Sequence, residues 1–295
     1  MGFFLLYSAP PVITGLAQIL QRYDLLLCDV WGVIHNGIAA FPEANDALMR
    51  ARLTGVTVIM ISNAPRPGVV VSKQIEGYGV PRSAYDDVVA SGDVTRDELM
   101  TRPGAKIFHI GPKRDYPNYD GLNVELVELD QADIVVCTGP FNDETDKPED
   151  YRELMEKIKA RGLLLICANP DIVVERGDKL VWCAGALAAI YDEIGGKTIY
   201  AGKPHPNIYR SALKRAAVLR GKEIDRARVL AIGDGVKTDI QGAANRKFDS
   251  LFIARGIHAA DIEVGADGEP GVEGLGKIFA AAGVSPTAIM RELIW

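Results

Sequence analysis

Seven short apolar runs punctuate the chain, at residues 25–28, 56–61, 107–110, 134–137, 163–167, 229–232 and 251–253. Apolar runs of this length without polar alternation fit strands buried on both faces, as in a parallel sheet covered by helices. Between most of them the spacing turns helical. Residues 42–53 open on Pro-Glu and stop ahead of Gly55, and residues 147–160 follow a Pro-Glu-Asp start and stop at Arg161-Gly162, which is how helix ends are commonly punctuated. A short β-like piece at 198–200, a helical stretch at 275–282 and a closing turn from Pro286 complete the pattern. A Gly/Asp/Glu-rich loop at 265–274 reads as a solvated connection. Strands alternating with helices predict an α/β fold on a parallel sheet.

Composition narrows this further. With 295 residues, 48% of them hydrophobic and 24% charged, the chain has material for two cores of domain size. Its net charge of −6 offers no basic field for a nucleic-acid backbone or an anionic membrane, so an anionic ligand has to be met by a focused pocket. No apolar run reaches spanning length. Residues 3–7 are apolar but too short for a secretory segment and run into Pro10-Pro11, and Leu6 stands where a myristoylation signal needs Ser or Thr. Cys28, Cys137, Cys167 and Cys183 show no metal or redox spacing, and three of them close apolar runs. They read as buried small side chains in a reducing compartment, and the chain as cytoplasmic.

Ligands of open parallel sheets bind beyond the carboxyl ends of the strands, and four such ends carry chemistry. Asp29 directly follows Leu25-Leu26-Leu27-Cys28, a place where a carboxylate is costly unless a charge or hydrogen bonds meet it. Ser62-Asn63-Ala64-Pro65 ends the second run, and reads either as turn chemistry or as an uncharged cradle for phosphate oxygens. Lys203 sits in Gly202-Lys203-Pro204-His205, where it is either solvent-facing or a fixed point charge. Gly233-Asp234-Gly235 follows the run at 229–232, and Thr238-Asp239 looks like a helix start. Asp234 and Asp239 then offer two hard oxygen donors on one edge, which suits Mg²⁺. A dinucleotide fingerprint lacks its third glycine here, and Asp234 would repel a pyrophosphate.

In this order the four motifs resemble the layout of the haloacid dehalogenase-like (HAD) hydrolase superfamily. The long interval between Asn63 and Lys203 is similar to its class IIA, which includes NagD-type nucleotide phosphatases, pyridoxal phosphate and phosphoglycolate phosphatases and 4-nitrophenylphosphatases. The resemblance implies a Rossmann-like parallel-sheet core at 1–82 and 199–295, with an inserted α/β cap of the C2 type at 83–198. It implies that Asp29 is a nucleophile forming an aspartyl-phosphate, that Ser62 and Asn63 hold the phosphoryl group, and that Lys203 steadies Asp29. It also implies Mg²⁺ bound by Asp29, the Trp31 backbone carbonyl and Asp234, with Asp239 in support. Asn169-Pro170-Asp171 and residues 185–189 look like cap landmarks, so Asn169 and Asp171, with His205, are candidate substrate contacts. The implied substrate is a small phosphorylated metabolite, and caps of this type often join similar proteins as homodimers.

The departure is Trp31. Phosphatases of the superfamily place an Asp two residues after the nucleophile as general acid and base, whereas indole has no proton to give at neutral pH. Losing that help costs about 10² to 10⁴ in rate. His35 is a candidate substitute, against its reading as a local hydrogen-bonding residue. Two alternatives therefore stand beside the phosphatase: a phosphate-binding or single-turnover module, and a metal-free dehalogenase, since those enzymes carry an aromatic residue at the position of Trp31. The dehalogenase is disfavoured because Asp234 and Asp239 are both present. The first motif, Asp29-Val30-Trp31-Gly32-Val33, resembles one branch of the capped subclass.

Overall fold

The computed structural model describes residues 10–176, 179–256 and 271–295. The chain first forms α1 (Ala17–Leu20), β1 (Leu25–Asp29), α2 (Pro42–Leu53), β2 (Thr57–Ser62), α3 (Gly68–Gly77), β3 (Asp87–Ala90) and α4 (Ser91–Met100). It continues through β4 (Ala105–Ile110), β5 (Val124–Leu126), β6 (Ile134–Cys137), α5 (Arg152–Ala160), β7 (Leu164–Cys167), β8 (Val173–Arg176), β9 (Lys179–Trp182), α6 (Ala184–Glu193) and β10 (Lys197–Tyr200). It closes with α7 (Pro206–Arg220), β11 (Val229–Gly233), α8 (Gln241–Arg246), β12 (Asp249–Ile253), α9 (Val272–Ala282) and β13 (Ala288–Met290).

Two parallel sheets result. One has the order β13-β12-β11-β1-β2-β3 and the other β10-β7-β6-β4-β5, while β8 and β9 pair as an antiparallel hairpin. Alternation along β1 explains why it lies at the centre of the first sheet: Leu26 and Cys28 pack into the core beneath α2 and α3, whereas Leu25 and Leu27 pack against Ile208, Tyr209 and Ala212 of α7. Every residue of this strand is buried. Full burial of a leucine side chain contributes roughly 1.5–3 kcal/mol, so a polar substitution at any of the three would unseat the layer that it packs against. The register sets Asp29 beside Ile61, one residue before Ser62, and Cys28 beside Ile232, two residues before Asp234. The polar ends of β1, β2 and β11 are thereby brought to one edge. Strand order reverses between β1 and β11, and this is where such sheets open a crevice.

The division of the chain differs from the expected 83–198. Strand β3 belongs to the first sheet and β10 to the second, so both crossings fall later, after Ala90 and after Tyr200. The reason for the first is that β3 carries only Val88, Val89 and Ala90 as apolar positions, too short a run to stand out. The expected helix at 147–160 is a 3₁₀ turn, Pro148–Tyr151, leading into α5, because Pro148 sets the tight first turn. The closing turn after Pro286 is instead β13, an edge strand paired with β12. Of the expected loop at 265–274, residues 265–270 lie outside the described residues and 272–274 already belong to α9. All four cysteines are free and buried. No helix among the described residues is long and apolar enough to cross a membrane.

Candidate active site

At the crevice between β1 and β11, Asp29 Oδ1 accepts the Val30 N–H at 2.7 Å and lies 2.6 Å from Lys203 Nζ. The same ammonium donates to Asp239 Oδ1 at 2.7 Å. Burial alone would favour the neutral amine, but Asp239 and then Asp29 outweigh it and hold Lys203 above the ordinary lysine range. Lys203 is therefore a fixed cation throughout the physiological range. Burial, followed by Asp239, pushes the Asp29 carboxyl well above its usual range against the pull of Lys203, and Asp234 adds to the push.

Asp239 is held through both oxygens, since Oδ2 accepts the Gly235 N–H at 3.1 Å and the Thr238 hydroxyl at 3.3 Å. Its segment is not a helix start at Thr238, as the sequence suggested. Residues Val236–Ile240 form a π-helical turn, with the amides of Asp239 and Ile240 both reaching Gly235 O. The wide turn seats Asp239 beneath Gly233, where a Cβ would overlap its carboxyl. Asp234 is seated in the same manner between Gly32 and Gly256, since a Cβ on either would overlap Asp234 Oδ2. Gly32 also adopts a φ of +77°, a left-handed conformation that favours glycine. Ligand oxygens of Asp29, Asp234 and Asp239 lie within 4.8 Å of one another. Asp29 is the most open at 9% exposure, against 4% and 2% for the other two, and so faces the approach to the crevice.

Asn63 pins the lysine loop. Its Oδ1 accepts the Lys203 N–H at 2.7 Å, and its Nδ2 donates to Lys203 O at 3.2 Å and to Asp171 Oδ1 at 2.8 Å. The close approach needs Gly202, where a Cβ would overlap Asn63 Oδ1 and Ser91 Oγ. Asp171 arrives from the second sheet: its N–H is taken by Asn169 Oδ1 at 3.1 Å, and its carbonyl accepts the Gly185 N–H at 3.1 Å. Ser62 Oγ accepts the Ala64 N–H at 3.2 Å. The chain thus brings Asp29, Ser62, Asn63, Lys203, Asp234 and Asp239 to one crevice, with Asp171 and Asn169 entering from above.

The remaining candidates are placed differently. Trp31 is half-buried and bridges through its backbone to His35, with Gly37 lying against indole Nε1. His35 is 3% exposed, its Nδ1 accepts the Gly37 N–H at 2.8 Å, and its ring packs 5.0 Å from that of Tyr78. Burial lowers its pKa to about 4, so at neutral pH it is an uncharged structural group of the 31–40 loop. His205 precedes α7 and stacks on Tyr200, with ring centroids 4.5 Å apart and planes at 7°. Sequence reasoning did not single out Gly32, Gly256 or Ser91. The available signal was the glycine three residues after Asp29 and another just past β12.

Comparisons with known proteins agree with this geometry. Residues 26–125 match the model of the haloacid dehalogenase-like hydrolases, and residues 200–272 match a second, HAD-hydrolase-like model. A crystal structure of a hydrolase of the haloacid dehalogenase-like family from Brucella suis 1330 is 49% identical, covers 96% of this chain and 100% of its own, and superposes with a TM-score of 0.84. Ribonucleotide monophosphatase NagD of Escherichia coli K12 is 24% identical over 80% of this chain and 89% of its own. The D-glycerol 3-phosphate phosphatase of Mycobacterium tuberculosis is 29% identical over 82% of this chain and 66% of its own. The chain belongs to the haloacid dehalogenase-like hydrolase family.

Proposed function

We propose that the protein is a Mg²⁺-dependent phosphatase of a small phosphorylated metabolite, working through an aspartyl-phosphate on Asp29. The carrying observation is the buried cluster of Asp29, Asp234 and Asp239, with the Lys203 ammonium joining Asp29 and Asp239. The three acids bring their ligand oxygens within 4.8 Å of one another in a buried crevice, a concentration of carboxylate oxygens that a divalent cation would stabilise. The donor set fits Mg²⁺: all-oxygen, buried and mutually close enough to share one octahedral ion with Mg–O distances of about 2.0–2.1 Å. Asp29, Asp234 and the Trp31 carbonyl would hold it, with Asp239 in support, and the bound ion would screen the repulsion between Asp29 and an anionic phosphate.

The protein groups then divide the work. Asp29 Oδ1 is fixed by Lys203 and the Val30 amide, while Oδ2 has no hydrogen-bond donor among the described residues and is the oxygen for attack. Attack forms the Oδ–P bond and breaks the P–O bond to the leaving alcohol, which must take its proton from solvent, because neither Trp31 nor neutral His35 can supply it. Ser62, the Asn63 region and Lys203 meet the phosphoryl oxygens. Water then attacks phosphorus, releasing phosphate and restoring Asp29. The second sheet, with Asn169 and Asp171, closes over the crevice as a cap and favours small substrates; His205 lines its base. Supporting this substrate class, the two named relatives act on phosphate monoesters of small molecules. Cytoplasmic residence and a homodimer through the cap belong to the same reading.

Trp31 supports a second reading, a module that is phosphorylated once and turns over slowly. Intact-protein mass after mixing with a reactive acyl phosphate and Mg²⁺ separates the two. We expect wild type to accumulate one phosphoryl group, Asp29→Asn none, and Trp31→Asp to clear it faster by up to about 10². Steady turnover on a panel of sugar, nucleotide and cofactor phosphates identifies a phosphatase, and its absence with a persistent phosphoryl group identifies the module. Activity that survives Asp29→Asn removes both. Halide release insensitive to chelator would support the dehalogenase instead.

A further inference from the structure

The outer side of α7 borders a cavity of about 690 Å³ that no step of the proposed reaction uses. Arg210, Leu213, Lys214, Ala217 and Val218 line it from the helix, at the spacing that places them on one stripe. Lys222 and Arg226 come from the turn after α7, and Arg246 from the end of α8. Five cations thus surround one cavity in a chain whose net charge is −6, with Glu223 as the single acid of the lining.

A solvated cationic face is the ordinary explanation for such a stripe, and three observations set this one apart. First, cations elsewhere on these elements are paired: Arg215 with Asp87 and Asp93 at 3.3 and 3.0 Å, and Arg228 with Asp24 at 2.8 Å. None of the five around the cavity has an ion pair among the described residues. Second, Arg246 Nε is buried without a hydrogen-bond partner among the described residues, although buried donors are ordinarily satisfied. The Nε atoms of Arg52, Arg66 and Arg220 are in the same position but their terminal nitrogens donate, whereas Arg246 makes no side-chain hydrogen bond among the described residues. Third, the floor is apolar, with Leu213 and Ile224 half-buried and Phe248 7% exposed.

We propose that this cavity is a second, non-catalytic binding site for a small ligand that joins more than one anionic group to an apolar or aromatic body, as a nucleoside polyphosphate does. Its volume lies within the roughly 300–1,000 Å³ of small-molecule sites, and its chemistry sets guanidinium and ammonium groups that have no ion pair among the described residues around an apolar floor. Guanidinium groups favour phosphate because they offer paired donors. Tyr209, another lining residue, reaches Thr238 O with its hydroxyl at 3.5 Å, so the cavity wall touches the segment that carries Asp239.

Calorimetric titration of the full chain with ATP in EDTA, beside adenosine and tripolyphosphate, tests the site. ATP should bind saturably at one site, tripolyphosphate more weakly, and adenosine not at all. The double variant Lys214→Glu, Lys222→Glu changes two exposed side chains and should weaken ATP at least about tenfold, a loss that shrinks as salt rises. Its circular dichroism and its turnover without ATP should match wild type, and Asp29→Asn should bind ATP as wild type does. Absence of saturable binding, affinity unmoved by the double variant, or binding lost with Asp29→Asn would each overturn the proposal. Tripolyphosphate binding as tightly as ATP would overturn the role of the apolar floor.

Discussion

The two parallel sheets each reverse strand order once, at β1/β11 in one and at β4/β6 in the other, yet the crevices that open there hold opposite kinds of chemistry. At the first, buried charges face one another and Lys203 joins two of the acids. At the second, the conspicuous buried group is a neutral imidazole: His109 Nδ1 lies 2.6 Å from the Tyr119 hydroxyl, and its ring stands edge-on to Tyr116 and Tyr119. Burial lowers the His109 pKa to about 4. Asp115, which acts electrostatically on Tyr119, is pushed up by burial despite the Thr138 hydroxyl and Arg66 at 3.8 Å. The same topology therefore serves reaction where opposite charges are fixed against each other, and shape where burial keeps groups neutral.

Breaking the charged side should cost most. Lys203→Met leaves Asp29 and Asp239 facing each other without their shared cation, and a buried charge stripped of its partner costs about 3–5 kcal/mol; urea unfolding with and without Mg²⁺ measures it. A loss below about 1 kcal/mol without Mg²⁺ would mean that the ammonium is not what balances the acids.

The neutral side should respond to acid. His35 and His109 are held at about 4 in the folded chain, against 6.5 for a free imidazole, so the unfolded chain takes up protons first as pH falls. Their contribution is complete above pH 6.5 and is lost on acidification towards 4. By pH 5 the loss is about 2 kcal/mol for each histidine. Buried acids such as Asp29 and Asp115 work in the opposite sense, so the measurement is the difference between wild type and His109→Gln across pH 7 to 5. Parallel stability curves would count against a neutral, buried His109.

The smallest expected effect lies where the two regions meet. Asp171→Ala removes the nearer of the two acceptors of Asn63 Nδ2 and should cost about 1.5 kcal/mol. Asn63 also holds Lys203 through its backbone, so kcat should fall along with the rise in KM. A change in KM alone would leave Asp171 as a substrate contact and not as a positioning residue.

Much of this was readable before the fold was known. The apolar runs at 25–28, 107–110 and 134–137 became β1, β4 and β6, and the helix at 42–53 became α2, because burial on both faces leaves an uninterrupted apolar signal. Strands with one exposed face left none: β5 is largely open, and in β9 only Val181 is buried. The acids and Lys203 were legible as strand-end residues, whereas their seating was not. The fit of Gly32 and Gly256 around Asp234 depends on backbones far apart in sequence, and the π turn before α8 on a hydrogen-bond choice that residue spacing does not encode. Asn63 showed as a polar strand-end residue, but its bond to Asp171, 108 positions away, belongs to the packing of one sheet over the other.

The pairing of β1 with β11 joins Leu25 to Val229, and this has a consequence for biosynthesis. When β1, β2 and β3 have left the ribosome, the β11-facing edge of β1 is bare and stays so while the whole second sheet is translated. An uncovered apolar strand edge invites association with other chains. The nascent protein thus passes through a long interval in which a chaperone has a natural foothold, and truncation before residue 229 leaves that edge open for good.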